Sequence, residues 1–161
     1  MTITERVVPV VDRRGATKSV ALFFSVVLLA VGVLGFVPGA TAHLDQIQFL
    51  GDASGAMLFG VFQVSILLNL IHVLLGVAGI FASRAGLASV VHLILGGIVL
   101  LAICAYGVMI LPNTSIDVFA VNGADGWLHL VLGLGMLVSG LYGQRHLPMD
   151  QERPVVPPLV E

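Results

Sequence analysis

Two histidines set in hydrocarbon runs are the side chains with the most chemistry to offer in this 161-residue chain. LNLIHVLLGVAG (68–79) carries His72, DGWLHLVLGLGM (125–136) carries His129, and a glycine follows each ring four residues later. A neutral imidazole offers one hydrogen-bond donor and one acceptor, can take up a proton, and can ligate a metal or a haem iron. Asp125 precedes His129 by one helical turn, where a carboxylate can stabilise a charged ring. The equivalent position before His72 is Leu68, so this second group is present only once.

The spacing around each histidine predicts a helix with one special face. Ser65, Asn69, His72, Gly76, Gly79 and Ser83 recur at intervals of four, three, four, three and four, and Asn122, Gly126, His129, Gly133, Met136 and Gly140 repeat the same intervals. Residues so spaced share a side of an α-helix. Small residues let helix backbones approach in a membrane, and Asn, Ser and His hydrogen-bond between helices. Both stripes are therefore expected inside the protein, facing each other. Ser65 and Asn122 are good N-caps, and seven residues of helix beyond them places each imidazole about 10 Å inward.

Composition puts these helices in a bilayer. The chain is 58% hydrophobic and 10% charged, with a mean hydropathy of +1.07, outside the range of soluble domains. About 20 apolar residues span the hydrocarbon layer, and uncharged windows at 19–37, 53–83, 85–116 and 126–144 provide four such lengths. The expected spans are 19–37, 65–83, 87–111 and 124–144, between an N-terminal tail (1–18) and a C-terminal tail (145–161). With four spans all seven Lys and Arg residues fall on one side, which the positive-inside rule makes the cytoplasm. Arg13, Arg14 and Lys18 before an apolar run ending near Ala40-Thr41-Ala42 have the outline of a secretory signal, but the run exceeds the usual 7 to 15 residues. Both termini are thus expected in the cytoplasm. A nucleic-acid partner is excluded by the lack of a basic cluster. The lone Cys104 cannot form an internal disulfide and reads as a small core residue.

Shifted by 57 residues the chain matches itself: Val61-Phe62, Val64, His72, Leu75 and Gly76 fall on Val118-Phe119, Val121, His129, Leu132 and Gly133, and Ser65 meets Asn122. VVLLAVGVLG (26–35) resembles IVLLAICAYG (98–107) more weakly. The expected fold is an all-α membrane protein whose four transmembrane helices form a tandem repeat of two helical hairpins. A parallel repeat of this kind differs from the inverted repeats common in alternating access.

FGVFQVSILLNLIHVLLGVAGI and VFAVNGADGWLHLVLGLGMLVSGL resemble the paired signatures of the domain-of-unknown-function 4383 family, small four-helix bacterial membrane proteins found mainly in actinobacteria. The likeness covers Ala21 to Tyr142. Its most specific elements are Asn69-Leu70-Ile71-His72 with Gly76, and Val121-Asn122-Gly123-Ala124-Asp125 with Trp127-Leu128-His129 and Gly133. The resemblance implies a small integral membrane protein and brings no activity, substrate or catalytic residue. Similar proteins usually carry Asn after the aspartate, where this chain has Gly126.

Three readings of the histidine pair follow. In the first the imidazoles join helices by hydrogen-bonding, at about 0.6–2 kcal/mol per contact. In the second His72 and His129 ligate a haem or a metal, without help from His43 in a loop or His92 in the third span. In the third they handle protons or small ions, with Asp125 beside His129. No phosphate loop, intramembrane carboxylate pair, CxxC or HExxH motif occurs, so an enzyme is not expected. No cofactor is expected under the first reading, which makes the protein a structural or interaction component whose His/Asn/Gly stripe packs helices 2 and 4. Its partners are then the lipid bilayer and a second copy or another membrane protein. His43, Asp45, Asp52, Asn113 and Asp117 are polar loop residues, with solvation a simpler role for them than cation binding. Trp127 reads as an interfacial aromatic or as core filling.

Overall fold

The computed structural model describes residues 13–51, 54–110 and 117–146. The expected tails at 1–12 and 147–161, together with Asp52 and Asn113, lie outside the described residues.

Four helices carry the fold: α1 (Arg13–Leu34), α2 (Ile66–Ala82), α3 (Gly86–Ala105) and α4 (Gly123–Gln144). α1 begins six residues before the expected span, so the helix takes in 13–18. It stops before Pro38-Gly39, where proline cannot continue a helix and Gly39 takes a φ of 89°. Thr41 Oγ1 then donates to the Leu34 carbonyl at 2.9 Å, satisfying one of the open acceptors at the helix end. α3 leads into a π-helical turn, Tyr106–Ile110. Three stretches, Gly15–Leu34, Gly86–Met109 and Gly123–Gln144, are long and apolar enough to cross a membrane. The expected span at 65–83 is shorter than anticipated: α2 is apolar but has 17 residues, about 25 Å at 1.5 Å per residue.

The connection before α2 holds an element that the all-α expectation lacks. β1 (Thr41–Ala42), β2 (Met57–Leu58) and β3 (Phe62–Gln63) form an antiparallel three-stranded sheet in the order β1-β2-β3, with Thr41 opposite Leu58 and Leu58 opposite Phe62. Ala56, Leu58 and Val64 bury their side chains against Val31 and Leu34 at the end of α1. The same connection supplies acceptors to α2, because the Ile66 and Leu67 amides donate to the Gln48 and Phe49 carbonyls at 2.9 and 3.1 Å. These are amides that a helix start otherwise leaves unsatisfied.

α1 packs along α2 and α3 along α4, with lighter contacts of α1 to α3 and α4 and of α2 to α3. Leu28, Leu93, Leu100 and Met136 form the centre between α1, α3 and α4. Outward faces are apolar too, with Phe23, Leu74, Phe81, Leu95, Val131 and Val138 exposed, as a lipid-covered surface requires. The two long connections lie at one end and bond to each other, Gly51 N to Val118 O at 3.2 Å among them.

Candidate functional site

The two N-caps anticipated from sequence are formed, and each also reaches across to the other connection. Ser65 Oγ accepts from the Leu68 amide and donates to the Phe119 carbonyl, both at 3.1 Å. Asn122 Oδ1 accepts from the Asp125 amide at 3.0 Å while its Nδ2 donates to the Val61 carbonyl at 2.8 Å. Asp125 closes the capping box by accepting the Asn122 amide, and the same oxygen accepts the Gln63 amide at 3.0 Å. The carboxylate is 2% exposed, so its role is to fasten α4 to β3.

One turn further in, the stripes meet at their histidines. His72 and His129 stack with ring centroids 5.4 Å apart and planes 15° from parallel. His72 Nδ1 donates to the Leu68 carbonyl at 2.9 Å, which leaves Nε2 as the acceptor nitrogen of the neutral ring. Both rings are buried, as is Asn69 one turn before His72. Among the described residues, five atoms of this cluster have no hydrogen-bond partner: Asn69 Nδ2 and Oδ1, His72 Nε2, and both nitrogens of His129. The histidines therefore do not bond to each other, and Asp125 does not bond to His129. Gly35 closes one wall, since a Cβ there would collide with the Asn69 amide.

The glycines of the stripes serve other neighbours. A Cβ at Gly76 would meet the Leu29 backbone of α1 at 2.6 Å, and at Gly133 it would meet Leu101 of α3 at 2.9 Å; on the facing helix, a Cβ at Gly97 would lie 2.8 Å from the Gly133 carbonyl. At these three positions close approach joins α2 to α1 and α4 to α3, whereas the two stripes meet at the His72–His129 stack. Gly79 abuts Ser25 and His92, where a Cβ would collide with both side chains. Ser25 Oγ donates to the Ala21 carbonyl at 2.6 Å and accepts from His92 Nε2 at 3.4 Å. This Ser25–His92 contact was not visible in sequence, because serine in an apolar run carries no signal of its long-range partner.

In the loops, the Asp117 carboxylate accepts the amides of Phe119, Ala120 and Val121 at 2.9–3.1 Å, which fixes the turn before α4. His43 takes a left-handed φ of 52° ahead of the short 3-10 turn Leu44–Gln46 that contains Asp45. Among the described residues no three His, Cys, Asp or Glu side chains converge as a metal set. Trp127 is 70% exposed, which removes core filling as its role. Cys104 is buried and its thiol donates to the Gly126 carbonyl at 3.3 Å.

Among the described residues the stacked pair leaves His72 Nε2 and both His129 nitrogens without a hydrogen bond, and a metal ion needs only nitrogen or oxygen lone pairs that converge.

Over residues 18–142 the chain matches the family described as Domain of unknown function (DUF4383). The protein belongs to that family. The matched segment takes in the described helices from Lys18 onward and both histidines. No curated protein and no solved structure gave a match.

Proposed function

We propose that this member of the family is a non-enzymatic, multi-pass protein of the bacterial cytoplasmic membrane, a four-helix bundle of two similar hairpins with both termini in the cytoplasm. Its function is to hold its own helices, and through them a second copy or another membrane protein, in a fixed arrangement. The observation that supports this reading is the packing of the stripes, with close approaches of Gly76 and Gly133 inside each hairpin and the Gly79–His92 contact and the His72–His129 stack between the hairpins. The reciprocal caps of Ser65 and Asn122 support the repeat, since each donates to a carbonyl of the other connection. Reconstituted in liposomes, the protein should pass neither protons nor small ions. A flux that disappears in His129→Gln while the helical content is kept would overturn the reading in favour of proton handling.

A second reading rests on the unpartnered atoms. A buried polar group without a partner costs about 1–3 kcal/mol, and the cluster holds five. Metal-binding imidazoles commonly donate their second nitrogen to a backbone carbonyl, as His72 does to Leu68. Imidazole suits zinc, copper, iron and nickel, and Asn69 Oδ1 would be the third donor. Elemental analysis of the detergent-purified protein, with zinc and copper titrations followed by melting temperature, tests it. A metal-free protein that titration leaves unshifted would end this reading.

A further inference from the structure

A cavity of about 550 Å³ lies between the end of α3 and the start of α4, walled by Cys104, Gly107, Val108, Gly123, Gly126 and Trp127 among others. Its volume falls within the roughly 300–1,000 Å³ of small-molecule sites. Among the described residues no charged side chain lines it, and the amide of Asn122 at its edge is already engaged with Val61 and Asp125.

Two of the lining glycines have no packing reason to be glycine. At Gly76, Gly97 and Gly133 an added Cβ would strike a neighbouring helix, but at Gly123 and Gly126 it would meet nothing within 4 Å. Neither has a positive φ, so the backbone does not require glycine either. At Gly126, inside the helix, glycine costs about 1 kcal/mol of helix propensity relative to alanine. What the two missing side chains do achieve is to leave the space between α3 and α4 open. The π-helical turn Tyr106–Ile110 borders the same space with Gly107 and Val108, and such turns recur at functional sites.

The mouth belongs to the surface that a bilayer covers. Trp127 (70% exposed) and Val108 (66% exposed) flank it. Trp127 also heads the exposed row Trp127, Val131, Leu134, Val138 and Leu141 along α4. An apolar, uncharged recess opening onto that row is in continuous contact with acyl chains. We propose that this cavity seats one acyl chain of a bilayer phospholipid as a defined bound ligand. The inference rests on the membrane location and not on either reading of the histidines.

The full-length protein is reconstituted into phosphatidylethanolamine–phosphatidylglycerol vesicles doped with a phospholipid carrying a diazirine near the end of one acyl chain. After illumination, adducts are mapped by mass spectrometry. Wild type should be labelled at 104–108, and Gly126→Leu, whose side chain enters the cavity beside Cys104, should lose that labelling by about tenfold. Labelling of the Val138–Leu141 surface should persist in both. Gly123→Leu fills the recess from another position and serves if Gly126→Leu does not fold by circular dichroism. Equal labelling at 104–108 in wild type and the two leucine variants, or no labelling there in wild type, would each overturn the proposal.

Discussion

The Asp125 carboxylate accepts the backbone amide of Gln63 at 3.0 Å, tying the first turn of α4 to the strand that leads into α2. Through this one oxygen, which also accepts the Asn122 amide, two helices distant in sequence share an anchoring point. Asp125→Ala removes a helix cap and the cross-link together. It should lower stability by about 1–2 kcal/mol, the upper part of the range for a lost cap. Chemical denaturation in detergent measures the loss, and hydrogen exchange at the Gln63 amide should accelerate in the variant. An unchanged exchange rate at Gln63 would contradict the assignment.

The caps at Ser65 and Asn122 meet in one junction between the two connections, so their replacement should not be additive. Ser65→Ala and Asn122→Ala should each cost about 0.5–2 kcal/mol. The double variant should differ from the sum of the singles by at least about 0.5 kcal/mol, as expected for contacts that share a structure. Simple additivity in a double-mutant cycle would show that the junction does not act as a unit.

Glycines that look alike in sequence should respond differently to leucine. At Gly97 and Gly133 the added side chain meets a facing backbone, and overpacking typically costs about 1–3 kcal/mol. At Gly126 the space is open, and the melting temperature should stay level or rise. Thermal melting of the three variants in one detergent checks the order, which would be refuted if Gly126→Leu proved the least stable.

Ser25 should matter to α3 although it lies on α1. Ser25→Ala removes the acceptor of His92 Nε2 and leaves a buried imidazole nitrogen unpaired, at about 1–3 kcal/mol. Ser25→Thr keeps the hydroxyl and should retain more of the stability than alanine does. Equal losses in both variants would point to volume and not hydrogen bonding.

Much of this architecture is legible in the sequence because charge exclusion and helical spacing are local signals. The apolar windows mark the four helices, Ser65 and Asn122 mark two starts, and the periodic His, Asn and Gly positions mark buried faces. A spacing of three and four identifies a face but not the neighbour it meets, which is why the stripe glycines turn out to pack on α1 and α3 while the histidines meet between α2 and α4. Two-residue strands have no alternation long enough to read, so the sheet at 41–63 was invisible. The partner of Asp125 was equally hidden, since a backbone amide such as that of Gln63 leaves no trace in residue identity.

The brevity of α2 has a consequence for the lipid around it. At about 25 Å it sits at the short end of the lengths that cross a hydrocarbon layer about 30 Å thick, and it begins just after β3. Phe49, Leu50, Phe59 and Val61 project from that connection with 42–62% of their surface uncovered. A helix too short for its bilayer draws the adjoining leaflet inward, and these side chains are suited to greet it. The consequence to check is a locally thinner bilayer beside α2, which acyl-chain order parameters in reconstituted vesicles would register.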